Sequence, residues 1–141
     1  MIVLDTNVLS ELMRPRPDPQ VLAWADALDP RAIAITAMNE AEILHEIARL
    51  PAGRRQQALM ESWQALAASL FAGAVLSFGS DAAQWYSQVV SRRERLARPI
   101  TTADALIAAI TLSHGARLAT RNTADFEGIG LELINPWATS A

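Results

Sequence analysis

At 141 residues, 51% of them hydrophobic and 19% charged, the chain has the length and apolar content of a single domain built on one core. It has no cysteine and all twelve of its basic residues are arginine, which excludes disulfides, zinc-thiolate sites, a P-loop and a Schiff-base enzyme. A net charge of −3 speaks against binding nucleic acid by bulk electrostatics, yet it permits local basic patches around an acidic pocket.

Ile2, Val3 and Leu4 form a short continuous apolar run, the mark of a parallel strand covered on both faces, and Asp5 stands at its carboxyl end. Ligands and chemistry collect in the crevice outside such strand ends, although Asp5 or Thr6 also suits the N-cap of the helix carrying Val8, Leu9 and Leu12. Three prolines between Met13 and Pro19 rule out continued helix and leave a stiff loop bearing Arg14 and Arg16. A helix from Val21 to Leu28 follows, closed by Asp29-Pro30, and then a second strand from Ala32 to Thr36.

The next helix, from about Ala37 to Leu50, sets Ile43, Ile47 and Leu50 on one stripe and Asn39, Glu42 and Glu46 on a neighbouring one. Pro51-Ala-Gly53 breaks it. A second amphipathic helix with Leu59, Trp63, Leu66 and Leu70 inward completes a helical hairpin. Ala74 to Phe78 reads as the third strand. Ser80 or Asp81 is expected to cap a helix running towards Leu96 with Trp85, Val89 and Val90 inward. Arg92, Arg93, Arg95 and Arg98 crowd its end, where cations suit the helix dipole as well as they would a phosphate.

Thr101 to Leu112 is a nearly all-apolar, buried helix stopped by Gly115, and Asp104 is the anomaly in it. Thr101 and Asp104 have capping-box spacing, so a structural and a chemical role can coexist. Arg117 to Thr120 gives a fourth strand, Arg121 to Phe126 a turn with a short helix, and Leu131 to Ile134 a fifth strand. Gly128-Ile-Gly130 lacks the third glycine and following helix of a dinucleotide fingerprint. No basic region precedes an apolar stretch at the N-terminus and no long uncharged apolar run occurs, so a soluble, cytoplasmic protein is expected. The alternation of strands and helices predicts an α/β protein, a three-layer α/β/α sandwich with a largely parallel sheet of four or five strands.

Such a sheet would bring Asp5, Glu42 and Asp104 to one edge. Clustered carboxylates repel one another, so either their pKa values rise or a divalent cation neutralises them. Oxygen-only ligation, with His45 and His114 unpaired in sequence, favours Mg²⁺ with Mn²⁺ as a substitute. Replacing Asp5 or Asp104 by alanine is accordingly expected to relieve repulsion without lowering the metal-free melting temperature.

Leu4-Asp-Thr-Asn-Val-Leu-Ser-Glu11, the Glu42 helix, Thr102-Ala-Asp-Ala-Leu-Ile-Ala-Ala109, Leu118-Ala-Thr-Arg-Asn-Thr-Ala-Asp-Phe126 and the closing Asn135-Pro-Trp137 together resemble a PIN-domain protein. More narrowly, the chain resembles the VapC and FitB group, the toxin halves of bacterial type II toxin-antitoxin pairs. The resemblance covers nearly the whole chain as one domain, residues 1–141. It implies a Mg²⁺-dependent endoribonuclease whose metal-binding and catalytic acids match Asp5, Glu42 and Asp104, with Thr6, Asn7 and Thr120 nearby. It also implies an RNA substrate, a cognate antitoxin, homodimers, and contact with DNA only through the antitoxin. Many relatives carry a fourth acid where this chain has Asn122; Asp125, three residues on, is the candidate to replace it.

Two other readings compete. A phosphotransfer enzyme resembling the haloacid-dehalogenase or response-receiver families would also place an Asp after the first strand. The first expects a second Asp at the position of Asn7, however, and both normally need a lysine. The other is an RNA- or antitoxin-binding module of the same fold with weak or no catalysis.

Overall fold

The computed structural model describes residues 1–138. Five parallel strands, β1 (Ile2–Leu4), β2 (Ile33–Thr36), β3 (Val75–Leu76), β4 (Arg117–Ala119) and β5 (Leu133–Ile134), form one sheet in the order β3-β2-β1-β4-β5. Six helices connect them: α1 (Thr6–Leu12), α2 (Pro19–Asp26), α3 (Ala37–Ala48), α4 (Arg54–Ser69), α5 (Ser80–Arg95) and α6 (Thr102–Ser113). Short 3₁₀ turns at Pro30–Ala32 and Thr123–Phe126 complete the described elements.

The alternating directions of strand side chains divide the core into two layers. Ile2, Leu4, Ile33 and Ile35 pack with Val8 and Leu9 of α1, Val21 of α2, Ile43 and Ile47 of α3, and Trp63 of α4. Val3 and Leu118 point the other way, onto Val89 of α5 and Ala105, Ile107 and Ala108 of α6. The expected three-layer sandwich is therefore realised, with all five strands parallel. The chain steps from β1 outward to β2 and β3 and then returns across the sheet to β4, on the other side of β1. The gap between the ends of β1 and β4 is thus the topological switch point, where such sheets leave a crevice.

Several elements differ from expectation for identifiable reasons. α2 starts at Pro19, because Asp18 accepts from the backbone N–H of Gln20 (2.8 Å) and Val21 (3.3 Å) and proline fits the first helical position. The outer strands β3 and β5 are only two residues long and half-buried, since each has a partner on one side alone. α5 is capped neither by Ser80 nor by Asp81: Gly79 holds the N-cap position without a side-chain bond. Trp85 is also turned outward, 36% exposed, while Ala82, Val89 and Arg93 are the buried positions. A charged residue occupies a core position there, so the apolar pattern alone points one register away. Among the described residues no helix is long and apolar enough to cross a membrane.

Candidate functional site

Asp5 ends β1 and caps α1, two roles made compatible by its extended backbone. Its N–H still belongs to the sheet, donating to the Ala119 carbonyl (2.9 Å), while its side chain is 5% exposed. That carboxylate is a hub of accepted hydrogen bonds. Oδ1 takes the Thr6 N–H (2.9 Å) and the Asn39 amide (3.3 Å); Oδ2 takes the Thr120 hydroxyl (2.8 Å) and the Asn7 amide (3.4 Å). The pKa of Asp5 is nevertheless raised. Burial is the main cause and the charge of Glu42 adds to it, against the donors from Thr120, Thr6 and Asn39. The hub revises the expectation for Asp5→Ala, which would strand four donors rather than simply relieve repulsion.

Asn39 was assigned no part in the site, and the structure gives it one. Its Oδ1 accepts from the Thr36 N–H (2.9 Å) and hydroxyl (2.7 Å), closing a capping box at the start of α3. Its amide nitrogen then donates to Asp5 and to the Thr6 hydroxyl (3.1 Å). Thr36-x-x-Asn39 was the available signal: a capping-box residue three positions before Glu42 is directed by the same helix start.

Thr6 passes the network on by donating its hydroxyl to Glu42 Oε1 at 2.6 Å. Across the switch point, Asn7 donates to the Thr120 hydroxyl (3.2 Å) and accepts from the Arg121 N–H (3.2 Å), and the Asn122 N–H donates to Thr120 (3.1 Å). Asp104 enters from the first turn of α6, its backbone N–H capped by Thr101 (3.2 Å). Its pKa is pushed up to about 6, chiefly by burial and then by the charge of Asp5, with Asp125 and Glu42 adding to the repulsion and Thr101 opposing it.

Asp5, Glu42, Asp104 and Asp125 are therefore brought together electrostatically, and none of them belongs to an ion pair among the described residues. Asn122 is the N-cap of the 123–126 turn but makes no side-chain capping bond; Asp125 is exposed and donates only its N–H, to the Asn122 carbonyl (3.0 Å). Of the arginines near the acids in sequence, Arg14 is paired with Glu11 at 3.3 Å. Arg121 lies over the Trp137 ring, 5.0 Å from its centroid, and Arg16 is exposed.

The donor chemistry fits a hard divalent cation: four carboxylates, the Asn122 amide and the Thr6 and Thr120 hydroxyls supply only oxygen, and they carry uncompensated negative charge. Among the described residues no three acidic, histidine or cysteine side chains converge tightly enough to form a closed metal site. His45 and His114 are exposed.

Beside the acids, α1 and α3 form a seam that repeats at one helical turn: Thr6 bonds Glu42, and Ser10 reaches Glu46 at 3.4 Å. The seam opens into a cleft of about 450 Å³ whose lining includes Met13, Ile43, Ile47, Leu50, Leu59 and Arg55. Leu66 lines the adjoining recess, whereas Trp63, on the inward stripe of α4, is buried against Phe71 in the core.

A sequence model described as the PIN domain matches residues 2–130. The chain is 40% identical over 137 residues to the VapC ribonuclease Y4jK of Sinorhizobium fredii, covering 97% of this chain and 98% of that protein. It is 36% identical over 137 residues to Toxin FitB of Neisseria gonorrhoeae, covering 97% and 99%. In three dimensions it superposes on a chain of the FitAB complex bound to an IR36 DNA fragment with a TM-score of 0.91 and 35% identity, covering 100% of this chain and 99% of that one.

Proposed function

The chain belongs to the PIN-domain family, and from that membership we propose that it is a Mg²⁺-dependent endoribonuclease serving as the toxin of a toxin-antitoxin pair. The observation that carries the reading is the group of unneutralised carboxylates at the β1/β4 switch point, centred on a buried Asp5 that hydrogen bonds from Thr6, Asn39 and Thr120 hold in one orientation. The names of two relatives, a ribonuclease and a toxin, support the substrate class and the biological role in this reading.

Asp5, Glu42 and Asp104 would hold the cation, with Asp125 as an outer or weak ligand. A bound Mg²⁺ or Mn²⁺ supplies charge stabilisation at the scissile phosphate and a more acidic attacking water. Thr120, Asn7 and Asn39 keep the Asp5 carboxylate in one orientation, and Thr6 does the same for Glu42. Arg121, exposed and next in sequence to Thr120, offers a guanidinium pre-oriented by Trp137 to a neighbouring phosphate of a single-stranded or looped RNA.

The antitoxin's place in this reading is the α1/α3/α4 cleft. Its apolar floor suits an amphipathic segment, and its α1–α3 seam leads one turn to Glu42, so a partner arginine there would compete with the cation. The test is cleavage of defined RNAs by the purified chain with Mg²⁺, with a chelator, and as Asp104→Asn. Metal-dependent cleavage lost in the variant is expected. RNA or antitoxin binding without any cleavage would instead favour the non-catalytic module, and full activity of an intact toxin-antitoxin complex would remove the occlusion model.

A further inference from the structure

The core-facing stripe of α5 ends on a charge. Arg93 is 4% exposed, its Nη1 donates to the carbonyls of Glu127 (2.8 Å) and Ala124 (3.2 Å), and its Nε is buried without a partner. No carboxylate pairs with it among the described residues. Burying a guanidinium without a counterion is costly, and an apolar side chain of similar length would pack there at lower cost.

What the charge achieves is geometric. The two carbonyls flank Asp125, so a single guanidinium nitrogen, Nη1, ties the chain on either side of it. Arg98 reinforces the grip, donating Nη2 to the same Ala124 carbonyl (3.1 Å) and pairing with Glu127 (3.3 Å). Phe126, 1% exposed, anchors the turn from the core side and leaves Asp125 facing outward. α5 also packs along α6 more extensively than any other two helices pack together, and the first turn of α6 carries Asp104. One helix therefore sets the location of two acids that arrive from different parts of the chain.

We propose that Arg93 is a positioning residue of the acidic site: from α5 it clamps the 123–126 turn so that Asp125 is held at a fixed place opposite Asp104. The proposal rests on the reading that these acids bind a divalent cation, and it adds that the site's fourth acid depends on a buried cation that touches neither metal nor substrate. The 123–126 turn packs directly against α6, the helix whose first turn carries Asp104, and the repulsion Asp125 exerts on Asp104 agrees with that placement.

The test is a double-mutant cycle on the full-length chain, with Mg²⁺ and Mn²⁺ binding followed by calorimetry in the absence of RNA. Asp125→Asn is expected to weaken binding, and Arg93→Met to weaken it by roughly tenfold, the lower end of what loss of a group orienting a metal ligand costs. In the Asp125→Asn background Arg93→Met should then have little further effect. Arg93→Lys, which keeps one donor, should recover part of the affinity. In metal-free Arg93→Met, hydrogen exchange at the amides of residues 123–127 should be faster while that of β1 and α6 is unchanged. Arg98→Gln, at an exposed site on the same carbonyl, gives a second reading if Arg93→Met does not fold, and is expected to shift affinity in the same direction by a smaller factor.

Two results would overturn the proposal while leaving the metal reading intact. One is a lower melting temperature in Arg93→Met with unchanged divalent affinity; the other is an equal loss of affinity with and without Asp125. Absence of divalent binding by the wild-type chain would instead remove the metal reading, and this proposal with it.

Discussion

Asp104→Asn tests whether the acid cluster stores the electrostatic strain its surroundings imply. Burial and the Asp5 charge hold the Asp104 carboxyl at about 6 against an ordinary 3.8. At about 1.36 kcal/mol per unit that difference has a ceiling of about 3 kcal/mol, and solvent screening of a half-buried side chain reduces it to about 1–2 kcal/mol. Because the folded value is raised, the native state holds this proton more tightly than the unfolded chain does. Stability is therefore full below about pH 3.8, falls as the pH rises through about 6, and stays at the lower level above it. In metal-free buffer at about pH 8, Asp104→Asn should thus melt roughly 3–8 °C above wild type, and the gap should close at about pH 3.5. Saturating Mg²⁺ should raise the melting temperature of wild type more than that of the variant, since the cation removes the repulsion only where the charge exists. Thermal melts across a pH series, with and without Mg²⁺, measure all three quantities. A variant that melts at or below wild type at about pH 8, or a gap that does not depend on pH, would refute the reasoning.

Asp5→Ala should behave oppositely, lowering the metal-free melting temperature by about 1–3 kcal/mol of stability, because it removes a helix cap and leaves the Thr120 hydroxyl and the Asn39 and Asn7 amides without their acceptor; equal melts would show that those donors find water. Asn122→Asp should tighten Mg²⁺ and lower the concentration for half-maximal cleavage, while Asp125→Asn weakens it more than Asn122→Ala does; an unchanged midpoint for Asn122→Asp would place that side chain away from the cation. Arg121→Ala should weaken single-stranded RNA binding across sequences and reduce the slope of affinity against salt by about 0.7, the share of one phosphate. Trp137→Leu should reproduce part of that loss without altering Mg²⁺ affinity, and an unaltered RNA affinity in both variants would place the phosphate path elsewhere.

The parts of the fold that could be read in advance were those in which local pattern and tertiary environment agree. Ile2 to Leu4 is continuously apolar because the strand is covered on both faces, and Thr101 to Leu112 is apolar because its helix is buried, so Asp5 and Asp104 stood out against plain backgrounds. Asn39 did not, because its contact with Asp5 crosses 34 positions and its local pattern is already explained by a cap. Arg93 falls in sequence within a helix-end cluster that suits the dipole or a phosphate, and nothing along α5 announces that one of four arginines turns inward to meet carbonyls more than thirty residues away. Trp85 was misplaced for the same reason, the inward stripe being completed by a charge. Whether Asn122 or Asp125 faces the acids was equally hidden, because a 3₁₀ turn of four residues has no periodicity to read.

Sheet order also fixes when the site can come into being. Asp5 is made long before its closest hydroxyl donor, Thr120, which lies 115 positions later beside the strand that pairs with β1. On the ribosome, β1 and β2 can pair early, but the β1/β4 crevice, the Thr120 bond and the Arg121 contact to Asn7 must wait until residues 117–122 have left the exit tunnel. Until then Asp5 lacks its Thr120 donor and the crevice has only one of its two walls. The nascent chain thus carries its acids unassembled through the synthesis of β1, β2 and the helices between, and the crevice closes only once β4 has joined the sheet.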